Sequence, residues 1–380
     1  MNQESSNSCF QEKHTAVLFL PASPESGWYL KEIAGVPFLL RNVLALQKSG
    51  FEKLVVWAEE SIQEGEMLLG SIKTDQRLQL ELDWVSKDSL SSTSATSIIF
   101  DGSTLLNECG GQMIRVTADS FKPFPEELMQ YFDNEEVYFL KSENLEQSEQ
   151  LRDEKDFYEA EKRLLKSCGL NNDSFMDRLI TRFISCQLTF LFMKTSFTPN
   201  QITFLSLFIG LAAALCFLSG GYEMGIAGSV LLLVSAWVDC VDGEVARLKF
   251  MTSEWGAKLD IISDNIVHCS VFFAIGMGLY FSTEESIYKY LGMLAVLGSL
   301  TAFIFLSKTI LGKKAEATEK ISFDSCSEKI SDQLANRDFI YLLFALALFG
   351  RLDVFILLAA AGSNFFAIYL VYQKVKTAAV

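Results

Sequence analysis

From about residue 200 onward the chain is a succession of apolar segments of membrane length, at about 200–219, 223–246, 257–282, 286–311, 336–350 with its flanks, and 352–373. At ~1.5 Å rise per helical residue, ~20 residues cross a hydrocarbon layer. Six transmembrane helices are therefore expected. The fifth segment is short and bounded by Arg337-Asp338 and Arg351, so five spans plus a re-entrant piece stays open. An even count puts the N-terminal part on the same side as the basic tail, Lys374 and Lys376. Arg247, Lys249 and Lys258 between spans two and three, with Lys308, Lys313 and Lys314 after span four, mark that side as cytoplasmic.

Four carboxylates interrupt this apolar half. Asp239 and Asp242 are three residues apart, and Asp260 and Asp264 are four apart on the next predicted helix, so each pair shares a helix face. If the two helices are antiparallel neighbours, four oxygen ligands converge near the cytoplasmic ends. Acids in a membrane are costly and mark function. Like charges this close repel unless a cation intervenes, and all-oxygen ligands suit Mg²⁺ or Mn²⁺; two ions would hold a diphosphate between them. Gly243, one turn after Asp239, and Gly256, one turn before Asp260, leave room for a bulky phosphate ester or nucleotide. Arg247 is placed to neutralise a phosphate oxygen or to close the cluster electrostatically.

The first 170 residues read differently. Apolar or β-branched runs at 15–20, 53–57, 79–84, 98–100, 112–117 and 137–140 alternate with helices and turns, giving an α/β domain. Pro37 opens a helix that ends near Gly50. Residues 145–168 carry Leu151, Phe157, Ala160, Leu164 and Leu165 at helical intervals and read as a linker helix; 173–196, with Arg178 and Arg182 one turn apart, reads as an interfacial amphipathic helix. The expected domains are 1–144, the linker 145–172, the interfacial helix 173–196 and the membrane domain 197–380. A formal charge of −15, with much of the acid before residue 170, argues against nucleic-acid binding. The eight cysteines show no zinc or disulfide spacing. No basic stretch precedes an apolar core at the N-terminus, so no signal peptide is expected and the front domain is expected in the cytoplasm.

Two resemblances follow from these motifs. The order strand, Ile33-Ala34-Gly35-Val36-Pro37, helix, Ser49-Gly50-Phe51, strand resembles the opening of sugar-nucleotide-type nucleotidyltransferases, including cytidylyltransferases that make CDP-inositol. Lys31 stands where that family has a lysine, and Asp101-Gly102 where it has a metal-binding Asp. The loop from Pro21 to Lys31 carries a single glycine and Glu25, a poor phosphate cradle, so the front domain is read as a degenerate, noncatalytic relative. Asp101-Gly102 is alternatively a turn.

The run Asp239-x2-Asp242-Gly243-x2-Ala246-Arg247-x8-Gly256-x3-Asp260-x3-Asp264 resembles the full signature of the CDP-alcohol phosphatidyltransferases. The resemblance extends over roughly 173–375 and implies an integral membrane protein with six transmembrane helices, dimers, and attack of an alcohol on a CDP-linked donor with release of CMP. It implies that Asp239, Asp242 and Asp260 are metal ligands, with Asp264 completing the site and acting as general base. Gly243, Ala246 and Gly256 (with Asp242) would line the cytidine pocket, and Arg247 would support the donor phosphates. Donors consistent with this are CDP-diacylglycerol and CDP-inositol, with a polar alcohol or phosphorylated polyol as acceptor. Arg178, Arg182, Lys258 and Lys308 are candidate cations for such an acceptor, with Arg337 beside them, and His268 could hydrogen-bond its hydroxyl; each is otherwise an interfacial anchor or a packed side chain. The rival readings are a cation transporter, which would hold its acids near the bilayer midplane, and a membrane scaffold with a noncatalytic front domain.

Overall fold

In a computed structural model of the protein, the described residues are 15–21, 27–58, 68–70, 72–86, 97–106, 121–122, 137–140, 151, 153–168, 180–312 and 338–378. They form two units, Met1–Gly169 together with Arg247–Met251, and Leu170–Ala246 together with Thr252–Val380.

In the first unit five of the apolar runs become strands β1 (Thr15–Leu20), β2 (Lys53–Ala58), β3 (Glu81–Ser86), β4 (Ser97–Asp101) and β6 (Val137–Leu140), and a two-residue strand outside the expected runs, β5 (Phe121–Lys122), joins them. They lie in one sheet in the order β3-β2-β1-β4-β6-β5. All neighbours are parallel except β5 and β6. Strand β1 is central, and Ala16, Leu18 and Leu20 are buried, the near-continuous apolar run expected of a parallel sheet. Strand β3 starts two residues later than its hydropathy suggests; the expected strand at 112–117 lies outside the described residues. Helix α1 (Phe38–Lys48) follows Pro37, which sits at its N-cap. Helix α2 (Glu154–Ser167) begins with a capping box between Asp153 and Asp156 and buries Phe157, Ala160, Leu164 and Leu165, the periodic residues of the linker.

The short segment Arg247–Met251 is held by two arginines of this unit, one of them buried. Arg41 donates from Nε and Nη2 to the Ile33 carbonyl and from Nη2 to the Leu248 carbonyl at 2.7 Å. Arg77 donates to the Lys249 carbonyl at 2.6 Å. Phe250 takes a left-handed backbone, φ 55°, under the Arg41 guanidinium. Burial pushes the Arg41 pKa down to about 9, with Arg77 pushing the same way, so it stays protonated at neutral pH.

The second unit is helical: α3 (Arg182–Met193), α4 (Pro199–Leu218), α5 (Tyr222–Leu248, its last two residues grouped with the first unit), α6 (Glu254–Thr283), α7 (Ser286–Gly312), α8 (Asp338–Leu348) and α9 (Leu352–Ala378). Helix α4 starts on a Thr198/Gln201 capping box with Pro199 in its first turn. Among the described residues five helices are long and apolar enough to span a membrane, which corrects the expectation of six. The fifth expected span contains only the 11-residue α8, about 16 Å at helical rise and too short for a ~30 Å hydrocarbon layer. Its flanks at 313–337 lie outside the described residues.

The bundle core is apolar and tightly packed. Val271, Ile275, Leu343, Phe355 and Ile356 are buried at its centre. Where α6 meets α7, a Cβ on Gly276 would stand 2.7 Å from the Gly292 Cα, so the two backbones touch through paired glycines.

Candidate metal centre

Helical spacing and one cap place the acids. Ser253 caps α6 by accepting the Gly256 amide at 3.0 Å, which starts the helix so that Asp260 and Asp264 follow one and two turns later. On α5, Asp239 and Asp242 are both buried, 5% and 6% exposed. Carboxylate oxygens of Asp239, Asp260 and Asp264 lie within 4.8 Å of one another, one donor from each residue. Three carboxylate oxygens at this separation are a fitting cradle for a hard divalent cation.

Asp242, the fourth acid expected to converge there, is not among these three; it accepts a hydrogen bond from the Thr203 hydroxyl of α4. One turn along α4, the Ser206 hydroxyl reaches Asp239 at 3.4 Å, and Ser235 donates to the Ser206 carbonyl at 2.7 Å. Outer hydroxyls of this kind fix the rotamers of ligating carboxylates. Sequence reasoning missed these residues as contributors; the legible signal was Thr203 and Ser206 at i and i+3 in an otherwise apolar span.

The other face of α5 carries a second charged group. Glu244, 1% exposed, accepts from Arg182 Nη1 at 2.7 Å and Ser185 Oγ at 2.8 Å on one oxygen, and from Thr189 Oγ1 at 2.6 Å on the other. Arg182 is thus ion-paired to Glu244. Behind the acids a cavity of about 20 Å³, the room of one water molecule, is lined by Ser206, Ser235, Asp239, Ser263, Asp264 and His268.

The remaining expected residues are distributed as follows. Gly256 opens toward Asn200, whose Oδ1 would lie 3.2 Å from a Cβ there. Gly243 and Ala246 are half-buried on α5. Arg247 falls in the first unit and donates to the Cys168 carbonyl at 3.2 Å. His268 packs edge-on to Phe339 and stacks near Phe272 while lining the cavity beside Asp264. Lys258 is exposed. Arg178, Arg337 and the side chain of Lys308 lie outside what the structure describes.

In the first unit, Lys31 is paired with Glu154 at 3.1 Å and lies over the Trp28 ring. Asp101 closes a turn by accepting the Ser103 amide and hydroxyl at 2.9 and 2.6 Å.

Residues 196–366 match the CDP-alcohol phosphatidyltransferase family. That match covers somewhat under half of the chain and lies within its helical C-terminal part. Among curated proteins the chain is similar to the bifunctional IPC transferase and DIPP synthase of Aquifex aeolicus, 33% identical over 126 residues, which is 33% of this chain and 28% of that protein. The protein of the same name from Thermococcus kodakarensis is 33% identical over 128 residues, 34% of this chain and 28% of its own. The phosphatidylinositol phosphate synthase of Corynebacterium glutamicum is 34% identical over 94 residues, 25% of this chain and 42% of its own. The matched region thus spans under half the length of these relatives. Among solved structures, the phosphatidylinositol phosphate synthase of Mycobacterium tuberculosis with CDP-DAG bound aligns at a TM-score of 0.37 and 19% identity, over 50% of this chain and 92% of that one.

Proposed function

We propose that this protein transfers a substituted phosphoryl group from a CDP-alcohol to the hydroxyl of a polar acceptor and releases CMP. The observation that carries the reading is the convergence of Asp239, Asp260 and Asp264 from two helices, within the region that matches this family. Asp242, held by Thr203, completes the ligand set, and the site takes two Mg²⁺ or Mn²⁺ ions. When bound, such ions neutralise the diphosphate charge and make the acceptor hydroxyl more acidic.

The chain's own residues do the rest. Asp264, last of the series, takes the proton from the acceptor hydroxyl as its oxygen attacks the phosphorus carrying the donor alcohol. The bond from that phosphorus to the bridging oxygen breaks, and the electron pair leaves with CMP. Gly243, Ala246 and Gly256 leave the space a cytidine needs, and Arg247 supports the donor phosphates.

The donor is CDP-diacylglycerol or CDP-inositol, and an alcohol such as inositol phosphate or glycerol phosphate is the acceptor class. The protein works as an integral membrane homodimer with its front domain and site facing the cytoplasm. The front domain is noncatalytic: Lys31 is engaged by Glu154, and Asp101 closes a turn onto Ser103. The test is a panel of CDP-alcohols and polar acceptors with CMP release as readout. Divalent-dependent release is expected with at least one pair; release that is indifferent to chelation contradicts the reading. For the front domain, the full chain given CTP and inositol phosphate should yield no CDP-inositol, and robust turnover would overturn the noncatalytic assignment.

A further inference from the structure

We propose that Glu244 and Arg182 form a latch that sets the rotation of α5 about its axis, and that Arg182 is thereby a positioning residue for the acidic cluster rather than a ligand of the acceptor. The inference rests on the reading of that cluster as the reaction centre. Glu244 is not among the signature residues, although it lies inside the signature run. Its carboxylate is buried to 1% exposure, and each oxygen is engaged: one by Arg182 and Ser185, the other by Thr189.

Arg182, Ser185 and Thr189 stand at i, i+3 and i+7 on α3, so one face of that helix supplies all three donors. At about 100° per residue, Glu244 points roughly 160° away from Asp242 and roughly 140° from Asp239 around α5. The helix is therefore gripped from opposite sides. Thr203 and Ser206 of α4 hold the two aspartates, and α3 holds the glutamate.

The apolar contacts of α5 here, Val238, Val241 and Val245 against Ile202, Leu188 and Phe192, are non-directional and resist rotation weakly. A turn of roughly 20° would swing a carboxylate roughly 6 Å from the axis through about 2 Å. Metal and catalytic sites tolerate about 0.5 Å. An ion pair with two further hydrogen bonds has one angular optimum, and removing the Arg182 charge takes a counter-ion from a carboxylate that is 1% exposed.

The test is a double-mutant cycle on the full chain in lipid or detergent: wild type, Glu244→Gln, Arg182→Gln and the double variant. Three readouts are taken: melting temperature, the rise in melting temperature on adding Mn²⁺, and kcat and KM for CMP release from CDP-diacylglycerol with inositol phosphate. Each single variant should cut kcat by about ten-fold or more and shrink the Mn²⁺-induced rise, with the acceptor KM within about two-fold of wild type. The double should be no worse than the poorer single. Arg182→Lys, which keeps the charge, should recover part of the loss and serves where the glutamine variants fold poorly.

Three results overturn the latch. One is an Arg182→Gln variant with a raised acceptor KM that Glu244→Gln does not share. Another is multiplication of the two losses in the double. The third is a coupled fall in melting temperature with the Mn²⁺ response and kcat unchanged, which would make the pair merely structural. A wild type that responds to Mn²⁺ but releases no CMP rules out this donor and acceptor pair alone, and the latch is then decided on the Mn²⁺ response. A wild type that does neither overturns both.

Discussion

Replacing Arg41 by methionine tests how the segment Arg247–Met251 is held. The guanidinium is 1% exposed and is bonded to the Ile33 carbonyl at 3.2 and 2.9 Å and to the Leu248 carbonyl at 2.7 Å. Methionine fills similar space and donates nothing, so both carbonyls lose a donor at ~1–3 kcal/mol each. Part of that loss is offset, because a buried cation resisted by its neighbour Arg77 is removed. The net is a destabilisation of about 2 kcal/mol, roughly 30-fold in the equilibrium for local opening. Phe250, in a left-handed conformation under the guanidinium, adds to the tendency of the segment to release. Hydrogen exchange followed by mass spectrometry on a peptide covering 247–251 reads this directly. Arg41→Met should exchange there roughly 30-fold faster. Unchanged protection together with an unchanged melting temperature would refute the assignment of these bonds as the restraint.

Other perturbations have similarly direct outcomes. Thr203→Val keeps the shape of the side chain and removes the hydroxyl on Asp242, so CMP release should fall about 10–100-fold with the fold intact by circular dichroism. Gly276→Leu drives a side chain into the Gly292 backbone, and a loss of ~1–3 kcal/mol or more should appear as a lower melting temperature in detergent. Arg77 holds the Asp75 carboxyl below the usual carboxylate range. This stabilisation is complete above the unfolded carboxyl's pKa near ~4 and is lost as pH falls through the lower folded value. An Asp75→Asn variant should therefore lose part of the wild-type acid dependence below about pH 4, measured as melting temperature against pH.

The acidic cluster was legible because helical periodicity fixes which residues share a face. Asp260 and Asp264 sit one turn apart, as their spacing requires, and Asp239 meets them from the preceding helix, which spacing left conditional on how the helices pack. Spacing could not show that Thr203 of another helix would turn toward Asp242, since the two are 39 positions apart in the chain. Glu244 was opaque for the same reason: an acid beside a signature looks like a solvated face until its partners 55 to 62 residues upstream are known. The α/β order was visible in the apolar runs, whereas the two-residue offset of β3 follows from pairing Glu81 with Lys53 and Ser86 with Ala58, which hydropathy does not encode. The fifth span fails on length, because among the described residues it holds only the 11 residues of α8.

The most direct test of the metal centre compares wild type with Asp260→Ala for two properties, Mn²⁺ binding by calorimetry and CMP release from CDP-diacylglycerol with inositol phosphate as acceptor. Wild type should bind Mn²⁺ and release CMP only with a divalent ion present, and the variant should lose both while keeping its helical spectrum. Equal Mn²⁺ binding and equal CMP release by the variant would contradict the account.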